Sequence, residues 1–236
     1  DAPVILATNK VAIKHMPIQH IGALLKSLAN AAKVPVCIHL DHGANFEVVA
    51  EAILNGYTSV MYDGSQLPLD ENIKNTREIV KLAHACGVPC EAEIGSVGYN
   101  DPNMEIKSFF TEPGEAKEFV MATNVDALAV AVGSLHRMED QSAVIQFDRL
   151  QKIQDVVDTP LVIHGSSGIK DADLQKLITY NVMKVNVGTA LRMAFGHTLR
   201  DEMQRQPQEY DRIVLFQKSM ESVKQEAIKK MKILGL

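Results

Sequence analysis

Apolar residues in this chain fall in short, near-continuous runs rather than in strict alternation, and each run is followed by a charge-bearing stretch of helical period. The runs lie at residues 3–7, 34–40, 58–63, 88–94, 126–132, 160–164 and 182–187. Runs this short and this apolar read as strands buried on both faces, the mark of a parallel sheet wrapped by helices. Pro3, Pro35, Pro89 and Pro160 open or precede four of them, where a missing N–H is tolerated and the preceding helix is stopped. Strand starts recur at roughly 22 to 38 residues, the length of a repeated βα unit. The expected architecture is therefore a (β/α)8 TIM barrel forming a single domain over residues 1–236. Seven strands are visible where such a barrel has eight. Only helical patterns follow residue 187 and the chain opens almost directly on a strand, so the first βα unit is expected to be absent from the N-terminal side. A doubly wound open sheet is the alternative, but no G-x-G-x-x-G follows a strand.

Composition narrows the partners more than the fold. The 236 residues are 46% hydrophobic and 22% charged, with a formal charge of −5 and no Trp. A basic stripe with interleaved aromatics is missing, which argues against nucleic acid. No apolar run approaches the ~20 residues that span a bilayer, so no membrane association is expected. Cys37, Cys86 and Cys90 are an odd set with no C-x-x-C spacing, which fits a reducing, cytoplasmic setting better than a disulfide framework.

In a barrel of this kind the chemistry sits at the C-terminal strand ends. His39-Leu40-Asp41-His42-Gly43 closes the second visible strand, and His136 and His164 fall past the ends of the fifth and sixth. Three imidazoles converging on a barrel mouth suit Zn2+, which takes three protein ligands in catalytic sites and keeps one position open. His15, His20, His84 and His197 fall in or beside helical segments and read as surface or capping residues. Glu91 and Glu93 share one face of their strand, where two inward carboxylates repel unless a cation or a proton separates them. Two readings stay open for them: a second metal position or cation relay near Glu93, or a salt bridge to a neighbouring lysine. Asp41 and Asp63 lie at the same level. His164-Gly165-Ser166-Ser167-Gly168 and Asn186-Val187-Gly188-Thr189 each lead from a strand toward a helix, with small residues that let backbone N–H groups approach phosphate. Lys184, inside the last strand, lies nearer its start than the site, which favours a structural role over a Schiff base. Arg192 is a candidate for a distal phosphate.

These residues resemble the class II, metal-dependent fructose-bisphosphate and tagatose-bisphosphate aldolases across essentially the full length. The landmarks are His39-Leu40-Asp41-His42-Gly43, Glu91-Ala92-Glu93-Ile94-Gly95, Val132-Gly133-Ser134-Leu135-His136, His164-Gly165-Ser166-Ser167-Gly168 and Lys184-Val185-Asn186-Val187. The resemblance implies a TIM barrel whose His42, His136 and His164 hold catalytic Zn2+, with Glu93 as an auxiliary metal-associated glutamate. A second divalent or monovalent cation is the further cofactor considered. Asp41 would be the proton donor and acceptor at the C4 oxygen, and Gly165, Ser167, Asn186 and Thr189 would hold dihydroxyacetone phosphate. The implied reaction is aldol cleavage of a phosphorylated ketose, with the metal as electron sink in place of a lysine iminium. The partner is thus a small sugar phosphate, and the assembly a homodimer or homotetramer that could use the apolar stripe Ile213, Phe216, Met220, Val223 and Ile228.

The chain also departs from that family. The loop after Glu93 reads Val97-Gly98-Tyr99-Asn100-Asp101-Pro102-Asn103-Met104-Glu105 where relatives carry paired glycines and an acidic run, so Asp101 and Glu105 are the candidates for a second acid. Arg137-Met138-Glu139-Asp140 follows His136 where a glycine and a Tyr-Lys pair are usual, and that arginine could serve a different anion. Tyr62 and Gly64 stand where small or aliphatic residues are common. The competing readings are a non-catalytic sugar-phosphate-binding barrel and a metal-dependent phosphosugar epimerase or isomerase.

Overall fold

The computed structural model describes residues 2–100 and 109–236. One strand forms at each apolar run, β1 and β2 running past the ends of theirs: β1 (Val4–Thr8), β2 (Val36–Gly43), β3 (Ser59–Tyr62), β4 (Cys90–Ile94), β5 (Ala127–Val130), β6 (Leu161–Ile163) and β7 (Val182–Val185). They form one sheet in the order β1 to β7, and every neighbouring pair is parallel. The helices between them are α1 (Lys10–His15), α2 (Ile18–Ala31), α3 (Phe46–Leu54), α4 (Leu69–Ala85), α5 (Pro113–Thr123), α6 (Phe147–Gln154) and α7 (Asp171–Leu177). Two longer helices, α8 (Thr189–Arg205) and α9 (Arg212–Ile233), follow β7.

Strand periodicity separates two environments. Leu40, Val60, Cys90, Ala92, Leu128, Val130, Leu161 and Ile163 face outward into the main apolar core under the helices. Helix α4 shows how that core is met: Ile73, Thr76, Ile79, Val80 and Ala83 recur at three- and four-residue spacing, so one stripe of the helix lies on the sheet. The alternate strand positions, His39, Met61, Glu91, Glu93, Ala129, Val162 and Lys184, point the other way. Met61, Ala129 and Val162 form a small apolar cluster there, beside a polar one.

Contacts across that inner side show that the sheet curls. The Asn186 amide, just past β7, donates to Asp41 on β2 at 2.8 Å, and Lys184 Nζ lies 3.3 Å from His39 Nε2. Five strand spacings of a flat sheet would hold them about 24 Å apart. Among the described residues no ladder joins β7 to β1, so the expected eight-stranded closure is seen as a seven-stranded curl.

Helices α8 and α9 pack on one another, with Phe195 and Phe216 edge to face at 5.3 Å between centroids. The α9 stripe is only partly used: Ile213 is 73% and Met220 59% exposed. No helix is long and apolar enough to cross a membrane among the described residues.

Candidate metal centre

Asp41 and His42 are consecutive, and on a regular strand they would face opposite sides of the sheet. His42 instead adopts φ 53°, and the β2–β3 register shifts between Leu40 and Gly43. This left-handed bulge costs a residue with a Cβ about 1–2 kcal/mol. It turns the His42 ring to the inner side beside Asp41, while its N–H donates to Met61 Sδ at 3.4 Å.

Three imidazoles meet at this level. His42 Nε2 and His164 Nδ1 are 3.0 Å apart, and the ring of His136 stands edge-on to both, at centroid distances of 5.3 and 5.9 Å. Each residue offers a nitrogen, and the three nitrogens lie within 4.8 Å of one another. Two nitrogens on a tetrahedral zinc would sit roughly 3.3 Å apart. His136 Nε2 is buried with no hydrogen-bond partner, as is Glu93 Oε2. Orphaned nitrogen and oxygen atoms carry a desolvation cost that a bound cation removes. The residues present therefore fit a divalent ion of borderline softness.

Carboxylates hold the far side of two of the rings. Asp63, the residue after β3, pairs its Oδ2 with His42 Nδ1 at 2.7 Å, and Ser65 donates to the other Asp63 oxygen, also at 2.7 Å. Glu91 Oε1 lies 2.9 Å from His164 Nε2. Such outer partners fix the ring orientation and make the inner nitrogen a better donor to metal. The sequence places Asp63 and Glu91 at the right level, and the structure supplies their histidine partners.

Glu91 takes the salt-bridge reading, and Glu93 has the geometry that a metal position would need. Glu91 Oε2 forms an ion pair with Lys184 Nζ at 2.7 Å, at the base of the inner cluster, where His39 also packs. Lys184 is thus a half-buried ion-pair partner, and His39 supports it while sharing its Nδ1 with Ser59 Oγ at 2.8 Å. Glu93 accepts from the Val97 N–H at 3.0 Å through one oxygen and leaves the other 4.0 Å from His42 Nδ1. With His42 and Asp63 it forms a second group able to hold an ion.

Charge follows the same division. Burial alone would lower His42, but the Asp63 hydrogen bond and the Asp41 and Glu93 charges outweigh it and push the ring up to about 9. His136 is pulled down to about 3 by burial and by the neighbouring His42 and His164. Burial opposes ionisation of Asp41, yet His42, His164 and Lys184 hold its carboxyl below the usual range. Burial and the Asp63 charge raise Glu93.

A cavity of about 110 Å³ opens over this cluster. Asp41, His42 and His136 line it, and so do Gly165, Ser167, Asn186, Thr189 and Arg192, so all the residues named for substrate reach one space. Gly165 has φ 69°, and a Cβ there would lie 2.7 Å from the Leu135 carbonyl carbon, so the loop after β6 closes on the His136 loop only without a side chain. Ser166 donates its hydroxyl to the Asn186 carbonyl, tying this loop to the end of β7. Arg192 Nη2 is 3.3 Å from Thr189 Oγ1, which puts this arginine beside the loop after β7. Asn9, the N-cap of α1, also lines the cavity; it lacked any sequence signal beyond its place after a strand. Asp101 and Glu105 lie outside the described residues.

A second cavity, about 230 Å³, lies on the other side of His42 and His136, lined by Lys10, Asp63, Glu93 and Ser96 among others. Tyr99 borders both cavities.

Compared with known proteins, the chain matches the family described as fructose-bisphosphate aldolase class-II over residues 1–236. The solved structure of the YdjI aldolase from Escherichia coli K12 is 32% identical, with a TM-score of 0.84; the match covers 99% of this chain and 81% of that one. A putative fructose-1,6-biphosphate aldolase from Coccidioides immitis shares the fold at 24% identity and TM-score 0.84, covering 99% and 90%. A fructose-bisphosphate aldolase from Campylobacter jejuni does so at 21% and 0.81, covering 99% and 83%.

Proposed function

The chain belongs to the class II fructose-bisphosphate aldolase family and is a lyase, and from that premise we propose that it cleaves a ketose bisphosphate of the fructose or tagatose type, using one zinc ion, to dihydroxyacetone phosphate and an aldehyde such as glyceraldehyde 3-phosphate. The observation that carries this reading is the trio His42, His136 and His164 with the unpartnered His136 Nε2 turned among them, beside a carboxylate held ionised.

His42, His136 and His164 would be the ligands, with Glu93 as the auxiliary group, and an ion held there would supply a Lewis acid at the ketone carbonyl, the electron sink that breaking the C3–C4 bond requires. Asp41 receives the proton of the C4 hydroxyl as that bond breaks, and returns it in the direction of condensation. Asn186 orients Asp41 by donating to Oδ1, which leaves Oδ2 for the substrate. Gly165, Ser167, Asn186 and Thr189 take the ketone fragment and its phosphate, with N–H groups at the start of α8 and the Arg192 guanidinium supplying donors and positive charge.

A further strand between the unpaired edges of β1 and β7 would complete an eight-stranded barrel in a single domain. Exposed apolar residues on α8 and α9 support a homodimer or homotetramer, and the unpaired thiols Cys37, Cys86 and Cys90 support a cytoplasmic setting. The test is incubation of zinc-loaded protein with fructose 1,6-bisphosphate and with tagatose 1,6-bisphosphate, following release of dihydroxyacetone phosphate. Turnover of at least one is expected; silence with both contradicts the substrate class.

A further inference from the structure

The three imidazoles are not held alike. His42 Nδ1 lies 2.7 Å from an Asp63 oxygen and His164 Nε2 lies 2.9 Å from a Glu91 oxygen, so a carboxylate sets each of these rings from behind. His136 has no such carboxylate among the described residues. Its Nε2 is also the one imidazole nitrogen of the three that is buried without a partner. A ligand ring with no outer partner turns freely about its terminal side-chain bond unless something else fixes it.

Tyr99 is placed to fix it, from the stretch after β4 in which the chain departs from its family. The His136 N–H donates to the Gly98 carbonyl at 2.8 Å, and the Asn100 N–H donates to the His136 carbonyl at 2.9 Å. Tyr99 and His136 thereby become a parallel bridge pair, which takes the β4–β5 ladder past Ile94 and Val130 and sets both side chains on one face. Their rings lie 4.7 Å apart between centroids, tilted by 33°. Half-buried, Tyr99 borders both cavities beside His42 and His136. A ring laid on an imidazole face restrains its rotation and leaves both nitrogens free in the plane, whereas a hydrogen-bonding partner would occupy one of them.

We infer that Tyr99 is the positioning residue of His136: its ring does by stacking what Asp63 and Glu91 do for the other two imidazoles by hydrogen bonding. This rests on the metal reading above. Stacking fixes direction but brings no negative charge, so His136 is oriented without being made a stronger donor to the ion. The hold of this arm then depends on the 98–100 backbone staying paired with His136. The ring carries the role and the hydroxyl does not.

The experiment is a chelator competition for zinc with the native chain, Tyr99→Phe, Tyr99→Leu and Tyr99→Gly, each repeated in a His136→Gln background. Circular dichroism reads the folded fraction of every metal-free variant. Zinc affinity should fall roughly 3- to 10-fold in Tyr99→Gly, the worth of one aromatic contact, by a smaller factor in Tyr99→Leu, and by less than about twofold in Tyr99→Phe. In the His136→Gln background the same substitutions should cost nothing further, because the arm they serve is gone. A general loosening of the fold would weaken zinc equally in both backgrounds, and that result would overturn the assignment. So would a loss in Tyr99→Phe as large as in Tyr99→Gly, or no loss in either Tyr99→Gly or Tyr99→Leu. Tyr99→Leu keeps apolar bulk and answers the question by itself should Tyr99→Gly not fold. A native chain that binds no zinc would instead sink the metal reading, and this assignment with it.

Discussion

Asp41 and His42 divide their work because the backbone turns between them. With the Asp41 carboxyl held below its usual range and, among the described residues, hydrogen-bonded through Oδ1, Asp41→Asn should lower kcat by about 10²- to 10⁴-fold while zinc content, read by metal analysis, stays near that of the native chain. Asp63→Asn removes the acceptor from His42 Nδ1, and zinc affinity should weaken ~10- to 100-fold in a chelator competition. His42 also sets a pH dependence. Its folded value of about 9 lies above the ordinary 6.5, so in the metal-free chain its stabilising contribution is full below pH 6.5 and is lost as pH rises through 9. Metal needs that nitrogen unprotonated, so zinc affinity should climb about tenfold per pH unit from roughly pH 6.5 to 8.5; a flat profile would mean that His42 is already neutral. The three histidines whose nitrogens converge were legible in the sequence because strand-end histidines have few other reasons to recur on three strands. Their carboxylate partners were not, because Asp63 and Glu91 meet their rings across neighbouring or distant strands, through a register shift that spacing in the chain does not encode.

At the scale of the strand, Glu91 and Glu93 share parity, and this much could be read from the chain. Their two-residue difference in height then sends Glu91 to Lys184 and His164 and Glu93 toward His42, and only the curl of the sheet makes that distinction. Breaking the Glu91–Lys184 pair leaves a buried charge. Lys184→Met should therefore destabilise the fold by about 3–5 kcal/mol, measured by urea unfolding, and the Lys184→Met, Glu91→Gln double variant should recover part of the loss. Glu91→Gln alone should also weaken zinc binding through His164, whereas Lys184→Met should spare it. A covalent role for Lys184 would show instead as borohydride trapping of the ketone. The helical stripe on α9 was readable as a pattern, but its use was not: Phe216 packs on Phe195 while Ile213 and Met220 stay exposed.

For the molecule as a whole, parallel order, helix placement and the level of the site follow from apolar runs spaced by helical segments, so they could be read before any coordinates. The distribution of charge could not, because the cavity draws Asp41, Arg137 and Arg192 from strands that approach one another only when seven of them curl. That convergence is why the proposed cleavage turns on one ion at His42, His136 and His164. The most direct measurement strips the protein with chelator, then titrates zinc while following cleavage of the ketose bisphosphate that the native chain turns over. No cleavage is expected in the stripped protein, recovery should be complete at one equivalent of zinc, and none is expected at any zinc level tested in His136→Gln. Cleavage that survives stripping, or that His136→Gln recovers with the same single equivalent, would contradict the one-ion reading.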